Sequence, residues 1–249
     1  MKVIAVTSQK GGTGKTTISG HLAVQAERTG MGPVVMVDCD PQGSLTNWWN
    51  YRQVETPILV QTSMAKLEGD LESLRQSGVK LVIIDTPPAI TWTIVNVIKL
   101  ANLVVIPVRP SPHDLAATGS TVDLIGGLGK PLVFVLNSAS PRARITTEAA
   151  VALSQHGAVA PSVIHHRTDF AASMIDGRTV MELPRTERST REIECLWDYV
   201  AGQLERLSIV TPIDMQPTTA PTSYSDTPSD TSAEPIENQP LRAVGGNNG

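Results

Sequence analysis

The feature of this 249-residue sequence that most constrains its fold is a glycine-rich loop that directly follows a short apolar run. The run is Val3–Val6, and the loop Gln9–Thr17 reads QKGGTGKTT. Small residues let successive backbone N–H groups curl around phosphate oxygens, and the helix that follows directs its positive N-terminal end at them. The common pattern has a glycine five positions before Gly-Lys-Thr, where this chain has Gln9. The loop therefore predicts a strand, a phosphate-binding turn and a helix.

Two lysines in this loop have different expected environments. Lys15 is expected to lie along the β- and γ-phosphates of a nucleotide, and the Thr16 hydroxyl to reach Mg²⁺. Lys10 lies at the loop entrance, where a lysine has no packing role; a solvated surface lysine is the alternative interpretation. The residues predicted to bind the nucleotide in this loop are Gly11, Gly12, Thr13, Gly14, Lys15, Thr16 and Thr17.

Further apolar, β-branched runs alternate with helical patterns along the chain. Their hydrophobicity is continuous, which is typical of strands buried on both faces of a parallel sheet. The predicted strands are Val3–Val6, Val34–Val37, Leu81–Ile84, Leu103–Pro107, Leu132–Leu136 and, more weakly, Ser162–Ile164. The predicted helices are 15–29, 44–51, 63–77, 91–100, 113–126, 143–156 and 189–207. We therefore expect an α/β fold with a doubly wound, mostly parallel sheet flanked by helices, whose ligands bind beyond the C-terminal ends of the strands.

Acidic residues follow two of these strands. Asp85 comes directly after four apolar residues, and a carboxylate at the exit of a buried strand beside a phosphate loop suits a water-mediated Mg²⁺ contact. A helix N-cap is the alternative for Asp85. Asp38 and Asp40 end the second strand, where one could orient Mg²⁺-bound water and the other the attacking water, or either could be a capping or turn residue. All these motifs are expected at one edge of the sheet.

Composition divides the chain near Ile209. Residues 211–249 hold five acidic residues and one basic residue, which accounts for the net charge of −4 of the whole chain. This segment is rich in Pro, Ser, Thr, Asn and Gly and nearly free of large apolar residues. Such a composition cannot offset the entropy of ordering, so we expect an ATPase domain over residues 1–208 and a disordered acidic tail over 209–249.

The cysteines and the apolar runs indicate a cytoplasmic protein. Cys39 and Cys195 have no metal-binding spacing, which fits a reducing compartment. No apolar run approaches the ~18 residues that span a bilayer, and the N-terminus lacks a signal-peptide pattern.

Three segments closely resemble motifs of one family. Lys10–Thr17 is similar to the deviant Walker A motif of the ParA/MinD ATPases. Asp38–Ser44 is similar to their second nucleotide motif, and Leu81–Pro88 to their Walker B segment. The resemblance covers about residues 1–207 and is closest to the small ParA partition ATPases of the ParF type. It implies a P-loop NTPase fold that binds ATP and Mg²⁺, with weak basal ATPase activity.

The resemblance also implies roles for individual residues. Lys10 corresponds to the signature lysine that reaches across an ATP-sandwiched homodimer to the partner's nucleotide, and Asp40 to the aspartate critical for hydrolysis. The predicted catalytic residues are thus Lys10, Lys15 and Asp40. The predicted metal-site residues are Thr16, Asp38 and Asp85.

Two further residues are predicted near the adenine. Asn137 occupies the position where relatives place an adenine-contacting Asn. Pro107 begins the proline segment 107–112, which by resemblance lies near the adenine and the dimer or polymer contact. A rigid strand-to-helix turn is the alternative for this segment.

The partners that the resemblance implies are DNA and an adaptor protein. ParA-type dimers bind DNA without sequence preference through basic residues of the C-terminal half, and a ParB-like or ribbon-helix-helix centromere-binding protein stimulates hydrolysis. The cargo is most often a plasmid, and the ATP-bound form associates with the nucleoid. In this chain seven arginines share residues 142–191 with five acids, so a DNA surface and a solvated mixed-charge surface are both open. The arginines are Arg142, Arg144, Arg167, Arg178, Arg185, Arg188 and Arg191.

Other functions of the same nucleotide loop are less favoured. A MinD-like membrane oscillator requires a basic amphipathic C-terminal helix, whereas this C-terminal segment is acidic and interrupted by prolines, so no membrane partner is expected. A reductase like the nitrogenase iron protein would need cysteines placed to bridge a cluster, and neither cysteine is suitable. A small-molecule ATP-dependent ligase is the remaining alternative.

Overall fold

A computed structural model describes residues 1–88 and 92–209 of the chain, which build a parallel β-sheet with helices on both faces. The strands are β1 Lys2–Val6, β2 Val34–Asp38, β3 Ile58–Val60, β4 Leu81–Asp85, β5 Leu103–Val108, β6 Leu132–Leu136 and β7 Ala158–Val159. In this part of the chain their order is β3-β2-β4-β1-β5-β6-β7, and every pair is parallel. The predicted doubly wound α/β fold is confirmed.

The helices alternate with the strands along most of the chain. They are α1 Lys15–Arg28, α2 Ser44–Asn50, α3 Leu67–Gln76, α4 Trp92–Leu100, α5 Pro112–Ala116, α6 Gly119–Gly127, α7 Arg144–Ser154, α8 Thr168–Ser173 and α9 Glu187–Ile209. Two short 3₁₀ turns, Met174–Asp176 and Val180–Glu182, connect α8 to α9. None of the helices in the described ranges combines the length and the apolarity that crossing a bilayer requires.

Alternate residues of each strand pack into opposite layers of the core. In β1, Ile4 belongs to the cluster that contains Leu22 of α1 and Trp197 of α9. The neighbouring Val3 belongs to the other cluster, which contains Val97 of α4. Because both faces of the strands are covered, both faces are apolar, which explains the continuous hydrophobic runs. Five predicted strands are present, each within one residue of its predicted bounds.

The prediction of a strand at Ser162–Ile164 is wrong. Ile164 N donates to Leu136 O at 2.9 Å and Ile164 O accepts from Ala139 N at 3.1 Å, so the segment does contact the end of β6. The chain has already turned at Ser138, which has a φ of 53°, so the ladder cannot extend beyond an isolated bridge. The last strand of the sheet is instead β7, and both β7 and the three-residue β3 were too short for the hydrophobic pattern to reveal.

The predicted helix 113–126 is divided into α5 and α6. The Thr118 hydroxyl donates to Leu115 O at 2.6 Å, a local bond that competes with helix continuation, and Gly119 follows with its low helix propensity. The predicted helix 63–77 begins only at Leu67, and α8 was not predicted. Residue 91 of the predicted helix 91–100 and nearly all of the predicted tail, residues 210–249, lie outside the described residues.

Candidate nucleotide-binding site

The sequence motifs meet where three neighbouring strands end. β4 lies between β1 and β2, and its last residue Asp85 is level with Val6 of β1 and with Asp38 of β2. β1 lies between β4 and β5. The connection that leaves β1 leads to β2 on one side of it, whereas the connection that leaves β4 leads to β5 on the other side. Open α/β sheets bind their ligands at such a switch point, beyond the carboxyl ends of the strands.

The phosphate loop is shaped by left-handed glycines and one long-range hydrogen bond. Gly12 and Gly14 have φ values of 73° and 93°, and α1 begins directly after Gly14. Just beyond β6, Asn137 donates from Nδ2 to Thr13 O at 2.6 Å. A side chain at Gly14 would collide with this amide. Glycine turns that lead into the N-terminus of a 14-residue helix are the arrangement that cradles phosphate.

Lys15 carries an ammonium group that folding largely removes from water. The residue is 7% exposed, and burial lowers the pKa of Lys15 while the charges of Asp85 and Asp40 act to raise it. A buried cation is costly unless anionic groups surround it. The position of Lys15 at the first residue of α1 therefore fits a polyphosphate ligand.

Asp85 and Thr16 form a pair that fits a magnesium site. Thr16 Oγ1 donates to Asp85 Oδ2 at 2.6 Å, and Asp85 is 1% exposed. Within the described residues, the second oxygen of Asp85 is buried without a hydrogen-bond partner. Burial is the main cause that raises the pKa of Asp85 to about 7, and the charge of Asp38 adds to it. A divalent cation with oxygen ligands would satisfy the unpaired oxygen and stabilise the ionised carboxylate.

Asp38 and Asp40 differ in how many hydrogen bonds each carboxylate already accepts from the protein. Asp38 Oδ2 accepts from N and Oγ1 of Thr46 at 2.8 and 3.0 Å, and its Oδ1 accepts from Asp40 N at 3.1 Å. Asp40 accepts from Gln42 N at 3.0 Å with Oδ1. Asp38 thus satisfies one backbone donor in the first turn of α2 and one in the turn before it, whereas Asp40 keeps more oxygen capacity free. The predicted metal role of Asp38 and the hydrolytic role of Asp40 stay predictions.

Lys10 forms an ion pair at the mouth of the loop. Its Nζ lies 3.0 Å from Asp114 Oδ2, and the side chains of Lys10 and Asp114 are 35% and 3% exposed. The Ser111 hydroxyl donates to the same Oδ2. Arg109 donates to the other oxygen, Oδ1, from Nε at 3.2 Å and from Nη2 at 3.1 Å. Two cations therefore share one buried carboxylate.

The sequence alone does not identify Asp114 as part of this site. Ser111 and Asp114 are spaced as in a capping box, and Asp114 N does donate to the Ser111 hydroxyl at 3.2 Å at the start of α5. That pattern predicts where a helix begins. It does not predict a partner 104 residues earlier in the chain, which is the separation of Lys10 from Asp114.

A cavity of about 400 Å³ opens beside this ion cluster. The cavity contains Pro110 in its wall, whereas the predicted Pro107 is buried within β5, opposite Val135 of β6. Asn137 is engaged with the phosphate loop. Contacts of Asn137 and Pro107 with an adenine ring stay predictions. The cavity is lined by Lys10, Arg109, Pro110, Ser111, Asp114, Ser138, Ser140 and Ile145.

The seven arginines of residues 142–191 fall into two groups. One group forms ion pairs with nearby acids: Arg144 with Glu148, Arg167 with Glu192, Arg178 with Asp176 and Arg191 with Glu194. In the part of the chain that the structure describes, no ion pair is formed by the exposed Arg142, Arg185 and Arg188. Arg142 and Arg185 also have left-handed φ values of 59° and 62°. Among the arginines of residues 142–191, these three are therefore the ones free to meet a polyanion.

The fold and this loop together define a P-loop nucleotide-binding protein. A parallel sheet with a Gly-Lys-Thr loop after its central strand, and a Thr–Asp pair beside it, is the arrangement of that class. Residues 4–180 match the family model described as the CobQ/CobB/MinD/ParA nucleotide binding domain. The chain belongs to this ParA/MinD family of ATPases, which confirms the family expected from the sequence motifs.

Named relatives share most of the described part of the chain. The alignment with maintenance of carboxysome distribution protein A of Halothiobacillus neapolitanus is 29% identical over 198 residues. It covers 76% of this chain and 91% of that relative. The alignment with protein ParA of Rhizobium radiobacter is 29% identical over 184 residues and covers 69% of this chain and 82% of that relative. The ATP complex of a Cyanothece McdA variant has a TM-score of 0.65 at 18% identity, over 81% of this chain and 96% of that one. At this identity the structural likeness shows the fold alone.

Proposed function

We propose that this protein is a ParA-type ATPase that forms a homodimer around ATP, binds DNA without sequence preference and partitions or positions a cargo. The observation that carries the proposal is the separation of the two loop lysines. Lys15 is 7% exposed within the loop, whereas the side chain of Lys10 is 35% exposed at its mouth. A lysine donated to the partner's nucleotide stabilises charge in phosphoryl transfer as arginine fingers do. Dimerisation then depends on ATP.

Hydrolysis at this site requires positioning and charge neutralisation rather than covalent chemistry. We infer that Lys15 and the loop N–H groups hold the β- and γ-phosphates. Thr16 and Asp85 would hold Mg²⁺, which supplies charge neutralisation at the phosphates when it is bound. Asp40, with its freer carboxylate, would orient the attacking water, and Asp38 would keep the start of α2 in place.

Substitution of the two loop lysines separates dimerisation from nucleotide binding. Lys10→Ala is expected to abolish ATP-dependent dimers and turnover, because the charge that crosses the interface is lost. Lys15→Ala is expected mainly to remove nucleotide binding, because the buried phosphate ligand is lost. Sedimentation velocity with ATP and Mg²⁺, together with a nucleotide-binding titration, measures both effects.

The control for these variants is Lys80→Ala, since Lys80 is exposed and precedes β4 at the opposite edge of the sheet. It should dimerise like the wild type. A Lys10→Ala protein that dimerises with ATP as well as the wild type would contradict the role of Lys10 in trans.

The unpaired arginines define a test of DNA binding. With ATP, the protein is expected to bind random-sequence duplex, and replacement of Arg142, Arg185 and Arg188 by Gln should weaken this binding. The slope of log affinity against log salt should become shallower by about 0.9 for each arginine that contacts a phosphate. Fluorescence anisotropy at several salt concentrations measures the slope.

The matched control replaces two ion-paired arginines, Arg144 and Arg178, by Gln. Because both already have acidic partners, the salt slope should change little. DNA binding that is absent with ATP and Mg²⁺, or insensitive to salt, would contradict the proposed DNA interaction.

The cargo and the adaptor are proposed by class. The relatives named above support partition or positioning of a cargo such as a plasmid or a protein compartment. We propose a ParB-like or ribbon-helix-helix adaptor and a cytoplasmic location, with nucleoid association in the ATP state. ATPase assays with and without DNA, with the product of the neighbouring reading frame added, test this part of the proposal.

We also propose that the ATPase domain comprises residues 1–208 and that residues 209–249 form an extension outside it. The support is that the composition changes near Ile209, the last residue that the structure describes.

A further inference from the structure

The cluster around Asp114 joins the phosphate loop to the segment between β5 and α5. Asp114 is 3% exposed, and its two oxygens accept from Lys10, Arg109 and the Ser111 hydroxyl. Burial alone would raise the pKa of Asp114, but the hydrogen bonds from Ser111, Lys10 and Arg109 outweigh it and hold the pKa below its usual range. Asp114 is therefore a buried carboxylate whose negative charge these donors stabilise.

Both cations of the cluster lie beside the loop that binds phosphate. Lys10 is part of that loop. A Cβ built on Gly12 would lie 4.0 Å from Arg109 Nη1, so the guanidinium lies beside the loop at Gly12. The side-chain amide of Gln9, the residue before Lys10, donates to Ser120 Oγ at the start of α6. Two consecutive loop residues are thus held by the α5–α6 region.

We propose that Asp114 holds Lys10 at the mouth of the loop until the dimer forms, and that Arg109 keeps Asp114 paired when Lys10 leaves for the partner's nucleotide. Asp114 and Arg109 are then positioning residues for Lys10. This inference rests on the proposed ATP-dependent dimer and names the residues that set how readily it forms.

The physical reason lies in the cost of an unpaired buried charge. If Lys10 were the only cation on Asp114, its departure would leave a buried carboxylate with the Ser111 hydroxyl alone, which is strongly unfavourable. Arg109 contacts Oδ1, while Lys10 contacts Oδ2, so the two cations do not compete for one atom. Lys10 can therefore leave while the two N–H donors of Arg109 remain.

Replacement of Arg109 tests the exchange. Arg109→Gln should raise the protein concentration for half-maximal dimerisation with a non-hydrolysable ATP analogue by about tenfold, or about 1.4 kcal/mol, because Lys10 becomes the sole cation on Asp114. Adding Asp114→Asn to this variant should restore dimerisation to within about twofold of the wild type, since a neutral Asn no longer retains Lys10. Arg109→Lys, which keeps a positive charge, should recover most of the loss. Sedimentation velocity of the full chain measures all three variants.

The control is Arg75→Gln, since Arg75 forms only an exposed pair with Glu72 on α3. It should dimerise like the wild type. An Arg109→Gln protein that dimerises normally would overturn the inference. So would a double variant as weak as Arg109→Gln alone, because Arg109 would then act directly on the nucleotide or the partner.

A second measurement needs no dimer. In the nucleotide-free protein, a double-mutant cycle of Lys10→Gln and Asp114→Asn on unfolding by urea should show coupling of about threefold or more in the unfolding equilibrium constant, and a larger coupling in the Arg109→Gln background. Coupling without any ATP-dependent dimer would refute the proposed function but retain the pairing. Absence of coupling would overturn the inference even if the dimer forms.

Discussion

At the scale of single residues, the phosphate loop depends on a close fit between Gly14 and Asn137. Gly14 has a φ of 93°, and the Asn137 amide occupies the space where a side chain at Gly14 would lie. The same amide holds Thr13 O at 2.6 Å. A substitution at Gly14 therefore affects the backbone conformation and the support of the loop together.

Gly14→Ala is expected to destabilise the protein and to weaken nucleotide binding. The left-handed conformation costs about 1–2 kcal/mol for a residue with a Cβ, and displacement of Asn137 leaves the buried Thr13 carbonyl without its donor, at about 1–3 kcal/mol. We expect a loss of about 2–4 kcal/mol in the free energy of unfolding, measured by urea denaturation.

Gly11→Ala is the matched control within the same loop. Gly11 has no left-handed φ, and a Cβ built there meets no atom within 4 Å. Its free energy of unfolding should change by about 0.5 kcal/mol or less. Equal destabilisation by the two substitutions would contradict the explanation from the Asn137 contact.

At the scale of secondary structure elements, α1 connects the nucleotide loop to the C-terminal part of the domain. Its buried His21 lies with Nδ1 2.7 Å from Thr17 O and accepts from Val180 N with Nε2 at 3.2 Å. The ring is therefore neutral, with its proton on Nδ1. α2 also contacts this C-terminal part of the domain, because Trp48 Nε1 donates to Arg178 O at 3.0 Å.

The neutral state of His21 predicts a pH dependence of stability. Burial lowers the pKa of His21 to about 4, below the value of 6.5 in an unfolded chain. Between these values the unfolded state binds more protons, so stability is present above pH 6.5 and is lost as the pH falls toward 4, by about 3 kcal/mol in total. His21→Gln, which can still donate and accept, should make this loss shallower in urea denaturation at several pH values.

The control for His21 is His156→Gln, since His156 is exposed at the end of α7. It should leave the pH profile unchanged. Asp85, whose pKa is also shifted, is present in all three proteins, so the difference between the profiles isolates His21. Parallel profiles of the wild type and His21→Gln would contradict the assignment.

At the scale of the whole molecule, the central strands and the placement of their motifs were predictable from the sequence. The run Leu81–Ile84 followed by Asp85 is apolar on both faces and ends in a charge, which leaves little choice of structure. The edge strand β3 was not predictable, because it has only three residues, follows Pro57 and exposes Ile58. Hydrophobic patterns do not reveal an element whose formation depends on contacts with its neighbours rather than on burial of its own side chains.

The long-range polar contacts of the site were also beyond the sequence. Asn137 was expected at the adenine on grounds of resemblance, and its contact with Thr13 depends on how β6 and the loop approach each other. Asp114 has a local explanation as a capping residue, and only the folded chain shows that it also meets Lys10. Chemistry carried by pairs more than 100 residues apart requires the structure.

The ion cluster at the mouth of the loop also bears on how a nucleotide arrives. Lys10 and Arg109 outnumber Asp114, so this rim carries one surplus positive charge on a chain whose formal net charge is −4. At physiological salt, exposed charges are screened over about 8 Å, so a polyphosphate senses this rim only in the last step of its approach. The association rate of the nucleotide should therefore depend on ionic strength more than its dissociation rate does, since the attraction acts on the encounter.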